Sequence, residues 1–111
     1  MKKSTISFDV ELDAEHIPEK ITWSATDSPE GDLPAETKSI SISIWDHRQK
    51  NTLRIDLWTK DMPVDEMPRY YLDCLGGMAQ SLLNATGDTA MADEINRLCE
   101  RLLDQMKSTS G

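Results

Sequence analysis

KNTLRIDLWTKDMPVDEM, residues 50–67, contains the change of period on which the fold turns. Leu53, Ile55 and Leu57 recur at every second position, as they do on a strand with one apolar face. A short acidic turn follows. Pro63 then stands where a first helical residue is expected, because that position needs no N–H and a fixed φ suits it. Upstream of this stretch the apolar period is two. Downstream it is three and four.

Working back from Leu53, the segment DHRQKN, residues 46–51, is a turn. Before it, Ser39, Ser41 and Ser43 alternate with Ile40, Ile42 and Ile44. Pairing Ile44 with Leu53 places Ile42 on Ile55 and Ile40 on Leu57, and sets Ser43 on Arg54 and Ser41 on Asp56. One face is then aliphatic and the other polar, and a slip of one residue would mix them. The aliphatic pairs, Ile42 and Ile55 among them, are expected to be buried. Nearer the N-terminus, Ile6, Phe8, Val10 and Leu12 alternate with Ser7, Asp9 and Glu11, and Ile21, Trp23 and Ala25 with Thr22 and Ser24. These are two further strands. DSPEGDLPAET, residues 27–37, reads as a loop because of its prolines, glycine and acids.

Beyond Pro63, Val64, Met67, Tyr71, Leu75, Met78 and Leu82 describe one helical face, with Asp65 and Glu66 in the first turn. Gly76-Gly77 predicts a kink or a close backbone approach. Gly87 ends this helix, and Asp88 or Thr89 caps a second, whose face is Met91, Ile95, Leu98, Leu102 and Met106. Asp93 and Arg97 are spaced to pair, and Lys107 to Gly111 should fray. Strands followed by helices indicate an α+β fold. The expectation is ββββαα: a four-stranded antiparallel sheet followed by two helices packed on its aliphatic face, in a single domain over residues 1–111.

The chain has 111 residues and a net charge of −8, from 20 acidic and 12 basic side chains. Phosphate backbones require a basic surface, so nucleic acid is not an expected partner. The first residues, MKKSTISFDVEL, have no apolar run after the lysines, unlike a signal peptide. No stretch approaches the ~20 apolar residues of a membrane span. A cytoplasmic location without direct membrane insertion is therefore expected. Cys74 and Cys99 belong to no C-x-x-C pair and read as reduced thiols.

No catalytic, cofactor-binding or metal-binding constellation emerges. His16 and His47 lie in turns with no second ligand at zinc spacing. Asp56, Asp61, Asp65 and Glu66 lack the spacing of a calcium loop, and capping and dipole compensation account for most of them. Ser39, Ser41 and Ser43 have no histidine placed to form a triad. The chain is therefore expected not to be an enzyme and to need no cofactor. Trp45 and Trp58 fall out of phase with the aliphatic residues. They should emerge on the polar face at opposite ends of the hairpin, with Arg54 and Asp56 between them. Exposed tryptophan often marks a contact, so Trp45, Trp58, Arg54 and Asp56 are the candidate interaction surface, for self-association or for a partner.

Two stretches resemble the gliding-motility-associated GldC family: HIPEKITWSATDS, residues 16–28, with its Pro-Glu-Lys-Ile-x-Trp pattern, and NTLRIDLWTKDMPVDEM, residues 51–67. The helical half resembles it only in pattern, and Gly76-Gly77 departs from it. The resemblance implies a non-enzymatic cytoplasmic accessory of gliding motility that acts through protein–protein contacts, with a membrane-associated gliding component as a candidate partner. It carries over no functional residues. The alternative expectation, drawn from four strands followed by two helices, is a SecB-like holder of unfolded clients.

Overall fold

The period-two segments form strands, but in two sheets rather than one. The computed structural model describes residues 2–27 and 33–110, with side chains to residue 108. Its elements are β1 (Ile6–Leu12), β2 (Pro18–Ala25), β3 (Ala35–Thr37), β4 (Ser39–Asp46), β5 (Asn51–Trp58), α1 (Met67–Thr86) and α2 (Thr89–Ser110). The fold is α+β and every strand pair is antiparallel, as the alternation requires. The expected single four-stranded sheet is replaced by a three-stranded sheet, β1-β2-β3, and a two-stranded one, β4-β5.

The cause lies in residues 35–39. Residues 28–32 of the expected loop lie outside the described residues, but its last three are strand. Ala35 pairs with Trp23 and Thr37 with Ile21. The chain bends at Lys38 and continues as β4, whose partner is β5. One extended run is thus divided between two sheets. The Lys38 carbonyl accepts from the Thr59 N–H at 2.9 Å, and the Pro18 carbonyl from the Lys60 N–H at 3.1 Å. The end of β5 is thereby tied to both sheets.

Two compact units make up the chain, Met1–Met62 and Pro63–Gly111, and each is described by itself. In the first, Ile21, Ile40 and Thr59 are buried. The β4–β5 register is the expected one, Ile44 on Leu53, Ile42 on Ile55 and Ile40 on Leu57. Burial along it differs from expectation. Ile55 is 47% exposed, Ile44 and Leu53 are also exposed, and Ile42 is half-buried. Strand pairing itself covers neither face, because side chains stand perpendicular to the sheet and are buried only where another layer packs on them. Its turn is closed by the Lys50 N–H on the Asp46 carbonyl at 2.8 Å, with Lys50 in the left-handed region, φ 58°.

In the second unit α1 begins at Met67, not at Pro63. Pro63 opens a turn, in which the Glu66 N–H donates to its carbonyl. Pro68 takes the first-turn proline position instead. A proline disfavours helical geometry at the residue before it and can supply no N–H to an earlier turn, so the helix starts here. Asp65 and Glu66 consequently precede the first turn. Gly87, φ 71°, closes α1 with its N–H on the Leu83 carbonyl, and Asp88 Oδ1 accepts from the Met91 N–H at 3.0 Å to cap α2. The two-residue connection makes the helices an antiparallel hairpin. Their most buried residues are Ala79 and Ala92, small side chains that allow close approach, while Val64, Tyr71, Met78, Met91 and Leu98 of the expected apolar faces are exposed. Gly76 and Gly77 serve no close approach: a Cβ on either would meet nothing within 4 Å. Arg97 pairs with Glu94 rather than Asp93, and α2 runs on to Ser110 where fraying is expected.

Candidate functional site

Period two sends Ser41, Ser43, Arg54 and Asp56 to the same face of the β4–β5 ribbon, and the register sets Ser43 beside Arg54 and Ser41 beside Asp56. The Arg54 guanidinium spans all of them. It donates to Ser43 Oγ at 2.6 Å, to Ser41 Oγ at 2.6 Å, and to both Asp56 oxygens at 2.9 and 3.3 Å. Ser41 Oγ in turn donates to Asp56 Oδ1 at 2.6 Å. A planar fork held at several points loses little further freedom when something docks on it. The Arg54 guanidinium beside Asp56 holds that carboxyl below its ordinary value, with the Ser41 hydroxyl adding to the effect and burial opposing it.

Trp45 and Trp58 stand at the two ends of this face, opposite Thr52 and Ser39. They are 61% and 50% exposed. All four candidate residues, Trp45, Arg54, Asp56 and Trp58, therefore share one face, two charged groups at the centre and an indole at each end.

Beside Trp58 lies a hollow of about 230 Å³ lined by Ile17, Pro18, Asp56, Leu57, Trp58 and Lys60. Its far wall is fixed by Lys60, whose ammonium contacts Glu19 at 3.0 Å and Asp13 at 3.1 Å. Those carboxylates, Glu19 first, raise the Lys60 pKa. Asp13 also accepts from the Glu15 and Ile17 N–H groups, and it is held low first by the Ile17 N–H and then by Lys60. No spacing in the sequence signals this hollow, because Ile17 and Pro18 meet Trp58 and Lys60 only where the start of β2 and the end of β5, in different sheets, come together, with the Lys60 N–H on the Pro18 carbonyl. Asp61, expected as a helix-junction acid, instead accepts from Lys38 at 2.6 Å and from Thr59 Oγ1 at 2.6 Å.

His16 and His47 lie in turns, as expected, and His16 has a left-handed backbone, φ 65°. Among the described residues no group of His, Cys, Asp and Glu is placed to hold a metal ion, and no helix is long and apolar enough to cross a membrane.

The β4–β5 face is thus a polar strand surface, hydrogen-bonded within itself and flanked by two exposed indoles, in an α+β fold. Residues 18–108 match the family model for gliding motility-associated protein GldC-like, and the chain belongs to that family. Neither the curated proteins nor the solved structures contain a match to it.

Proposed function

We propose that this chain is a non-enzymatic accessory of gliding motility that works in the cytoplasm by binding a protein partner, and that the polar face of β4–β5 is where the partner docks. Membership of the GldC-like family supports the link to motility. The observation that carries the docking reading is Arg54, held rigid by Asp56, Ser41 and Ser43 between two half-exposed tryptophans. Interfaces concentrate energy in aromatic and arginine anchors of this kind, and ordering them beforehand lowers the cost of binding. The hollow beside Trp58 is large enough for one partner side chain. A membrane-associated gliding component is the partner favoured by the family context.

The test is the double variant Trp45→Ser/Trp58→Ser, used as bait in native extract beside the parent chain. It should keep the parent's circular dichroism and lose the parent's specific partner. A folded variant that captures the same partner equally well would refute this face.

One observation favours a second reading, a holder of unfolded clients. An apolar cavity of about 400 Å³ lies between α1 and α2, lined by Tyr71, Leu72, Leu75, Leu102 and Met106 among others. Suppression of the aggregation of unrelated denatured proteins at stoichiometric ratio would favour this reading over the first.

A further inference from the structure

β1 is the outer strand of its sheet, paired with β2 on one side and with no strand on the other among the described residues. The direction of its free groups is fixed. Thr5 accepts from the Thr26 N–H and donates its own N–H to Thr26 Oγ1, so Thr5, Ser7, Asp9 and Glu11 turn their backbone groups toward β2. The N–H and C=O groups of Ile6, Phe8 and Val10 therefore point outward. Of the features that usually block strand addition, the edge carries charged side chains, Asp9 and Glu11. It has no proline, and its one irregularity comes at its end, between Glu11 and Leu12. Ile6 is 66% exposed and Phe8 40%.

We propose that this edge pairs antiparallel with the same edge of a second copy, with Ser7 opposite Ser7, joining two three-stranded sheets into one. In that register Ile6 faces Phe8 and Ser4 faces Val10, each pair twice. These are even-numbered positions, those whose backbone groups point outward, so the ladder closes without rearranging either strand. Ile6 of each copy is covered by Phe8 of the other.

Charge selects the partner and the register. On the polar face Thr5 meets Asp9, and Lys3 meets Glu11 at each end. Neither Lys3 nor Glu11 makes an ion pair among the described residues of its own chain. Centring on Asp9 would set two carboxylates against each other, which is destabilising. Centring on Phe8 would give Lys3 to Asp13, which Lys60 already holds. The Ser7 register gives a chain of net charge −8 an ion pair at both ends of its contact.

The test uses the full chain in sedimentation equilibrium and in oxidative cross-linking. The parent should sediment at twice the monomer mass. Ser7→Cys should form a disulfide-linked dimer under mild oxidant, since opposed non-hydrogen-bonded residues have Cα atoms about 4.5 Å apart. Asp9→Cys should not exceed the parent's background from Cys74 and Cys99, because the two copies of residue 9 lie about 13 Å apart along the ladder. Ile6→Pro removes an outward N–H and none toward β2, so it should weaken the dimer by about tenfold or more and leave circular dichroism intact. Lys3→Glu should weaken it most at low salt. The Trp45→Ser/Trp58→Ser variant should remain dimeric, which separates this edge from the docking face above. A parent that stays monomeric at high concentration overturns the proposal. So does a dimer in which Asp9→Cys cross-links as well as Ser7→Cys, or one that the tryptophan variant dissociates.

Discussion

Ile21 and Ile55 are both isoleucines on strand faces that alternation marks as apolar, yet their surroundings differ. Ile21 has no exposed surface and Ile55 is 47% exposed. Replacing Ile21 with alanine should cost about 2–5 kcal/mol in denaturant unfolding, the usual range for a buried large-to-small change. Ile55→Ala should cost well under half as much, because water already reaches that side chain. Asp56 makes a second residue-scale prediction. It is held low first by Arg54 and then by Ser41, and Asp13 and Asp61 are held low by Ile17 and Lys38 respectively. A carboxyl whose folded pKa lies below the ordinary 3.8 contributes stability that is complete above that value. As pH falls below 3.8 the unfolded chain takes up protons that the folded chain resists, and that stability is lost. Lys60, raised above 10.5, behaves oppositely: its contribution is complete below 10.5 and disappears as pH rises through the folded value. Thermal midpoints should therefore decline on the acid side beginning near pH 4, and Asp56→Asn should make that decline shallower.

At the scale of elements, the glycines of the helical unit divide into two kinds. Gly76 and Gly77 lie inside α1 with open space where a Cβ would stand. Alanine at either position should raise stability by about 0.5–1 kcal/mol, the difference in helix propensity, with no loss of helical signal. Gly87, φ 71°, is left-handed and ends the helix. Alanine there should lower stability by about 1 kcal/mol, since L side chains are strained in that region. Thermal melts of the three variants would separate the cases. If Gly77→Ala proved as costly as Gly87→Ala, the segment would need backbone freedom that a regular helix does not.

For the whole molecule, Cys74 and Cys99 are free thiols, and no metal-binding cluster occurs among the described residues. The thermal midpoint should thus be the same with chelator, with reductant and with neither. A fall of several degrees with chelator would reveal a bound ion that stabilises the folded state by mass action.

The β4–β5 register, the polar face with its two tryptophans, the strand-then-helix order and the Gly87 and Asp88 stop and start signals were all legible in the sequence. Each depends on a local period or on the backbone preference of one residue, and such signals survive without knowledge of neighbours. The division into two sheets was not legible. It depends on Ala35 and Thr37 pairing with Trp23 and Ile21 while Ser39, two residues on, pairs with Trp58, and nothing in AETKS announces that change of partner. Helix register shows the same limit. Leu98 and Ala92 both fit an apolar stripe, yet the alanine is buried and the leucine exposed, a difference that helical period alone does not set. The hollow beside Trp58 and the outward groups of β1 belong to this second kind as well. Period assigns a side chain to a face, but what covers that face depends on contacts between residues distant in the chain.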